Sequence, residues 1–355
     1  MNAGLHAGWR AALEAWFSRV WWQVPAPAAA RLLRPLAGVY RLLQGVNQWA
    51  RQVRGTKPLP LPVPVLVVGN LVVGGAGKTP TVMAVVRALQ LAGHRPGVIS
   101  RGHGRAGAAR GNQVQAVLHN TPVSLAGDEP LLIQRRCGVP VWVGAQRAEV
   151  AAALCRAHPD VDVLVSDDGL QHHALPRHAE LVVFDERGVG NGRLLPAGPL
   201  RQPLPLVMPA AARVLYTAGR PSTALPGSLA QRSINTAWPL AAWHQGEAAR
   251  AVPLAALKGR QLLAAAGLAA PEKFFNMLQS AGLDFQRLAL PDHHDYSSLP
   301  WPPNTPAVIT TEKDAVKLDP QCMSATAVWV VPLNLALPDE LIADLLHLLF
   351  PTAPP

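Results

Sequence analysis

Lys78 and Thr79 close the run VVGNLVVGGAGKTP, whose glycines, cation and hydroxyl are spaced to hold a phosphate. Gly74, Gly75 and Gly77 let the backbone curl until several N–H groups point inward. Lys78 then reaches the β/γ-phosphates, and the Thr79 hydroxyl suits Mg2+. One glycine of the pattern G-x-x-x-x-G-K-[ST] is missing: Val72 takes its place, with Val73 and Ala76 among the remaining loop positions. The stretch Val72–Thr79 is still predicted to bind a nucleotide. An apolar strand ends at Val68–Gly69, and Pro80 sits in the first turn of a helix directly behind the lysine, so a helix N-terminus faces the anion. The plainer alternative, a glycine turn without a ligand, leaves the Lys-Thr pair at that helix start unexplained.

In folds of this type ligands gather beyond the carboxyl ends of the strands, and four more strand ends carry polar residues. ISRGHGR supplies Arg101, His103 and Arg105, and VGAQR supplies Arg147. LVSDDG supplies Asp167 and Asp168, an acidic strand end suited to Mg2+, and VVFDERG supplies Asp185 and Glu186. In AGDEPLL, Asp128 and Glu129 start a helix. They read either as a capping pair or, for Asp128, as a general base beside ATP. LPDHHDY places His293 and His294 between two aspartates, where a neutral imidazole can orient a carboxylate. No other His/Cys set has the spacing of a metal site. Lys313 in TTEKDAVKL is a further cation for nucleotide or lipid phosphate, without the spacing of a guanine-reading motif.

These residues need a scaffold of buried strands. Continuous apolar runs at 64–70, 96–100, 140–145, 162–168, 180–185 and 213–219 alternate with helical stretches such as 79–92 and 146–158, the pattern of a parallel sheet covered on both faces. After an irregular, Pro-rich stretch at 219–258, a smaller set follows: strands at 261–268, 307–311 and 328–333, and helices at 271–282 and 339–350. The expected organisation is N-terminal membrane-associating helices at 1–57, a P-loop NTPase-like core with a parallel sheet at 58–225, and a second, smaller α/β domain at 226–355.

The formal net charge is +10, and no acidic residue lies between Glu14 and Asp128. Such a stretch draws anionic partners. Nucleic acid is not expected, because no aromatic–basic stacking motif accompanies the charge. The first 57 residues point to a bilayer instead. Trp9, Trp16, Trp21 and Trp22 cluster with Arg10 and Arg19, and Leu32, Leu36, Val39, Leu43, Val46, Ala50 and Val53 share one helical face with arginines off it. An ordinary amphipathic helix packed on the core is the competing reading. No run qualifies as a spanning helix or signal peptide, and three cysteines without metal spacing suit a reducing compartment.

Taken together and in order, VGNLVVGGAGKTP, PGVISRGHGR, GDEPLL, DDGLQHHAL, NGRLLPAGPLR, PDHHDY and TEKDAVK resemble the tetraacyldisaccharide 4′-kinases of lipid A biosynthesis, from about residue 30 to 335. The resemblance implies transfer of the γ-phosphate of ATP, with Mg2+, to the 4′-hydroxyl of a tetraacyldisaccharide 1-phosphate. The product is lipid IVA, made at the cytoplasmic face of the bacterial inner membrane by a peripheral or shallowly anchored enzyme beside anionic lipid. It further implies Asp128 as catalytic base with His293 as its dyad partner, and Lys78 and Thr79 as phosphate and Mg2+ contacts. Asp167 and Asp168 match the acidic pair near the metal, and Arg147 and Arg101 match active-site arginines, with Glu129 beside them on the rim. His103 stands where the family loop often has Tyr, so the pH dependence is expected to shift while activity survives. The alternative is a membrane-associated P-loop ATPase acting as switch or motor, but Val73 occupies the position where such switches usually carry a further lysine.

Overall fold

The computed structural model describes residues 13, 15–53, 60–102, 105, 114–323 and 326–351. Trp9, Arg10 and His103 lie outside the described residues. Strand β1 (Val65–Gly69) is buried at every position, and its alternating side chains serve two cores at once. Val65 and Val67 enter one hydrophobic cluster, Leu66 and Val68 the other. That is what period-two alternation does in a sheet covered on both faces.

Around β1 stand β2 (Pro96–Ser100), β3 (Gln115–Val117), β4 (Val141–Val143), β5 (Val163–Asp167), β6 (Ala179–Phe184), β7 (Ala212–Tyr216) and β8 (Ser228–Leu229), in the order β3-β4-β2-β5-β1-β6-β7-β8. Only the edge pair β3–β4 is antiparallel. The register Val68↔Asp167 brings the acidic end of β5 level with the end of β1. The phosphate-loop candidate and the acidic pair therefore emerge side by side.

The stretch expected to be irregular, 219–258, contains short elements that its prolines and polar residues disguise. They are β8, β9 (Gln231–Ser233), β10 (Thr236–Pro239), a helix Leu240–Gln245 and β11 (Val252–Pro253). A second sheet follows, with β12 (Leu263–Ala266), β13 (Gln286–Ala289), β14 (Ala307–Thr311) and β15 (Ala327–Val331) in the order β11-β10-β15-β14-β12-β13. Part of its core is a separate cluster around Phe274, Phe275, Leu278 and Ile309, while Ala265, Val308 and Val330 join the cluster of Leu66 and Val82 in the first unit.

The chain enters this second unit through β9 and leaves through β16 (Asn334–Ala336), and these two pair as an antiparallel ribbon. Two contacts cross the expected boundary at 225/226. β8 still pairs with β7 of the larger sheet, and the closing helix Asp339–Leu349 returns to the first unit, its Leu341, Leu345 and Leu349 sharing a cluster with Leu66, Val85 and Leu89. An amphipathic helix settles where an apolar surface awaits it, whatever its place in sequence.

At the N-terminus α1 (Ala28–Leu32) and α2 (Arg34–Val53) are separate helices, so Leu32 does not share the long helix as expected. Tyr40 Oη donates to the Arg201 carbonyl at 2.9 Å, and the Gln44 amide donates to the same oxygen. On α2 Leu36, Val39, Leu42, Leu43, Val46, Trp49 and Val53 are all exposed. Two of the tryptophans have a different task from the one the sequence suggests. The Trp21 indole N–H donates to the Pro196 carbonyl at 2.9 Å, and Trp22 lies 4.3 Å beneath the Arg187 guanidinium. They fasten this segment to the protein. Among the described residues no helix is long and apolar enough to cross a membrane.

Leu345, 4 % exposed, tests the return of the last helix. Leu345→Ala is expected to cost about 2–4 kcal/mol, read as a lowered urea midpoint. An unchanged midpoint would detach that helix from the core.

Candidate functional site

The missing glycine has a structural counterpart. Val72 is fully buried and bridges to Leu200, and the Val73 N–H donates to the Pro199 carbonyl at 2.9 Å. A β-bridge needs no glycine, so the curl starts two residues later, at Gly74 with φ +95°. It ends at Gly77, whose φ of +83° is a left-handed conformation that side chains rarely adopt; a Cβ there would also meet Thr217 Oγ1 at 3.2 Å. Ala76 is buried, and its carbonyl accepts from Thr217, while the Gly75 carbonyl accepts from Arg187. Helix α3 (Lys78–Leu91) begins at once, with Gly77 as its cap and no side chain on its first N–H groups. A helix start of this kind is a positive cradle for an anion.

Beside the cradle, Lys78 Nζ lies 3.3 Å from Asn70 Oδ1 and 3.8 Å from Asp168 Oδ1. Asp168, with φ +49°, accepts two 3.1 Å hydrogen bonds from Arg201. Asp167 accepts from Ser100 Oγ at 3.0 Å, and its other oxygen, Oδ1, is buried without a hydrogen-bond partner. Burial pushes the Asp167 carboxyl up to about 7, with Glu129 and Asp168 adding to the effect against Lys78 and Ser100. Arg147 is almost fully buried against the Gly144 carbonyl; burial lowers its guanidinium to about 10, and Asp167 and Asp168 oppose that shift. Arg101 is exposed at the end of β2.

Helix α4 (Asp128–Cys137) faces the second unit. Gly127, not Asp128, is its cap, although Asp128 Oδ1 does accept from the Glu129 N–H at 3.1 Å. That bond occupies one oxygen. The other, Oδ2, lies 2.8 Å from His293 Nδ1 and 3.5 Å from Lys317 Nζ, both from the second unit. Lys313 from the same unit stands 3.7 Å from Glu129, 3.2 Å from Asp292 and 3.3 Å from His293 Nε2. Burial raises the Asp128 carboxyl, but the His293 hydrogen bond and the charges of Lys313, His293 and Lys317 outweigh it and hold it at about 2. His293 is raised in turn by its bond to Asp128, against burial.

Between the two units lies a cleft of about 230 Å³ with Gly75, Gly77, Lys78 and Thr79 on one wall and Lys273, Asp292 and Lys313 on the other. Lys273 crosses it to Asp185 at 2.9 Å and Glu186 at 2.6 Å. The loop thus shares the cleft with Glu129 and Asp292, the sequence neighbours of Asp128 and His293, and reaches the acidic pair through the Lys78–Asp168 contact; His103 lies outside the described residues. Sequence reasoning passed over Arg201, Asn70, Ser100, Lys273 and Lys317. Lys317 alone carried a readable signal, four residues beyond Lys313 on what could be one helical face.

The cleft can hold a triphosphate against the helix start. Asp167, Asp168 and the Thr79 hydroxyl are hard oxygen donors of the kind that suits Mg2+ once phosphate oxygens complete the shell. The buried, unpartnered Asp167 Oδ1 is the observation that favours a cation there. Among the described residues no group of three or more His, Cys, Asp or Glu could hold a metal ion by itself.

The Asp128 shift makes stability depend on pH. Its folded value lies below the ordinary 3.8, so its contribution is present above about pH 4 and lost as pH falls toward 2, a loss of about 2 kcal/mol. The His293 shift has the opposite sign: its contribution is present below its ordinary 6.5 and fades as pH rises through the raised value. Urea unfolding of wild type and Asp128→Asn across this range should show a steeper acid loss in the wild type. Parallel curves would remove the charge pair from the folded state.

The sequence profile described as tetraacyldisaccharide-1-P 4′-kinase matches residues 29–349. A tetraacyldisaccharide 4′-kinase of Methylibium petroleiphilum is 49 % identical, covering 97 % of this chain and 96 % of that one. One of Leptothrix cholodnii is 49 % identical over 89 % of each. Among solved structures, LpxK from Aquifex aeolicus in complex with ATP superposes with a TM-score of 0.72 at 25 % identity, covering 90 % of this chain and 99 % of that one. The chain belongs to the tetraacyldisaccharide-1-P 4′-kinase family.

Proposed function

We propose that the cleft transfers the γ-phosphoryl group of ATP to the 4′-hydroxyl of a tetraacyldisaccharide 1-phosphate, yielding lipid IVA in lipid A biosynthesis. One observation supports the mechanism: an ionised, buried carboxylate, Asp128, pairs with His293 of the second unit directly beside Glu129, which lines the same cleft as an uncapped helix start. Phosphoryl transfer asks for positioning and charge neutralisation more than covalent help. The backbone from Gly74 to Gly77 and Lys78 hold the β- and γ-phosphates. Asp128 accepts the proton of the 4′-hydroxyl as its oxygen bonds to the γ-phosphorus and the bond from that phosphorus to the ADP oxygen breaks. His293 orients the carboxylate. Its neutral form leaves Asp128 the stronger base, so the rate is expected to rise with pH through the raised imidazole value.

Thr79, Asp167 and Asp168 would hold Mg2+, which when bound neutralises developing charge on the phosphate oxygens. Arg147 supplies a fixed positive potential from within the wall, because its guanidinium is tied to the Gly144 carbonyl. Arg101, exposed at the end of β2, is read as meeting an anionic acceptor, and Glu129 lies 3.7 Å from Lys313. The core around these residues is read as a P-loop kinase core. A switch or motor ATPase is not supported by the family assignment.

The exposed face of α2, with Arg34 and Arg41 off it, is read as a peripheral membrane anchor at the cytoplasmic face of the inner membrane. Support comes from seven large apolar side chains left in water on a helix whose polar side is tied to the protein by Tyr40 and Gln44. The basic charge is assigned to anionic lipid and phosphate rather than nucleic acid.

Two experiments test these readings. Transfer of γ-³²P from Mg-ATP to the acceptor in micelles should label lipid with wild type and fall at least about 100-fold with Asp128→Ala. Unimpaired transfer by the variant would return Asp128 to capping. Co-sedimentation with anionic vesicles should weaken by about tenfold or more in Leu36→Glu/Leu43→Glu, since each lost leucine contact is worth about 1.5–3 kcal/mol at full burial. Undiminished sedimentation would free α2 from the bilayer.

A further inference from the structure

Lys317 is the cation at this site that neither the cleft nor a hydrogen bond accounts for. Its side chain is 7 % exposed, and among the described residues its ammonium has no hydrogen-bond partner. Its charge partner is Asp128 Oδ2 at 3.5 Å, and the Tyr296 ring lies 5.9 Å away. Lys313 differs: it lines the cleft and divides itself among Glu129, Asp292 and His293. A buried ammonium is costly unless an opposite charge stands against it. Here that charge is the carboxylate of the other unit.

We propose that Lys317 is a positioning residue for the base: buried 3.5 Å from Asp128 Oδ2, it fixes that oxygen where His293 can bind it. The inference rests on Asp128 being the base. The groups that face Asp128 are His293, Lys313 and Lys317 from the second unit and Glu129 on its own helix, with Asp292 acting through Lys313. Lys317 touches no substrate in this scheme and transfers no proton. It trades some base strength for a carboxylate already ionised and already oriented when the acceptor arrives. The exchange operates only while the two units are apposed, because Asp128 and Lys317 belong to different ones.

Lys317→Met keeps most of the stem volume and removes the charge. The His293 imidazole, titrated by NMR in the free protein, should then move up by about one pH unit, because the Asp128 charge beside it is less compensated. Lys317→Arg should return it toward wild type. For phosphoryl transfer, Lys317→Met should lower kcat about tenfold with the KM for ATP unchanged, and carry the pH–rate inflection up with the imidazole. An imidazole titration that coincides with wild type overturns the proposal. So does a shifted titration with an unchanged kcat, which leaves a charge contact without a positioning role. If Lys317→Met does not fold, Lys317→Gln, neutral and of similar reach, is read by the same titration. The imidazole readout needs no turnover, so it answers for Lys317 separately from the Asp128→Ala transfer assay, which answers for the base.

Discussion

A carboxylate that is 5 % exposed keeps its charge only if cations stand against it, and every cation that does so for Asp128 comes from the second unit. This single constraint ties the architecture together. The larger sheet carries the phosphate cradle and the carboxylate; the smaller sheet carries His293, Lys313 and Lys317. Helix α4 is paired across the interface at both ends, through Asp128 at its start and through Arg136 to the buried Glu312 near its finish. The β9–β16 ribbon and a hydrophobic cluster that joins Val82 and Leu132 to Val308 and Val330 hold the two units against each other around that charge.

The cradle and the acidic pair meet for a reason that lies in sheet order. β1 and β5 are neighbours in register, so residues a hundred positions apart in sequence leave the sheet side by side. Arg201 then completes the acidic corner from a segment that β-bridges to Val72, and one loop serves both the phosphate curl and the metal-binding candidates.

Much of this was legible in the residues. Buried strands such as Pro96–Ser100 and Ala307–Thr311 announce themselves as unbroken apolar runs between turn residues, and the glycine curl before Lys78 is set by the conformations it must adopt. The parts that were not legible depend on three-dimensional partners. β9 and β16 are three residues each and partly polar, so no periodicity marks them. The closing helix reads as amphipathic without saying which unit receives its apolar face. Trp21 and Trp22 have the composition of lipid-boundary residues, yet Pro196 and Arg187 claim them, and only the fold reveals that. Lys317 was hidden for the same reason: in sequence it is one more lysine, and its burial comes from the opposite unit.

The Pro199–Arg201 backbone has a geometric consequence. Its Pro199 and Leu200 bridge to the start of the phosphate loop, and its Arg201 carbonyl receives Tyr40 and Gln44 from α2. One short span of main chain thus lies between the helix proposed to rest on lipid and the loop proposed to hold ATP. It acts as a gauge block. Were α2 to lie in the headgroup layer as proposed, the transferable phosphate would stand at a set height above the acyl chains, and an acceptor sugar would be selected by how far its hydroxyl rises from the bilayer as well as by its chemistry.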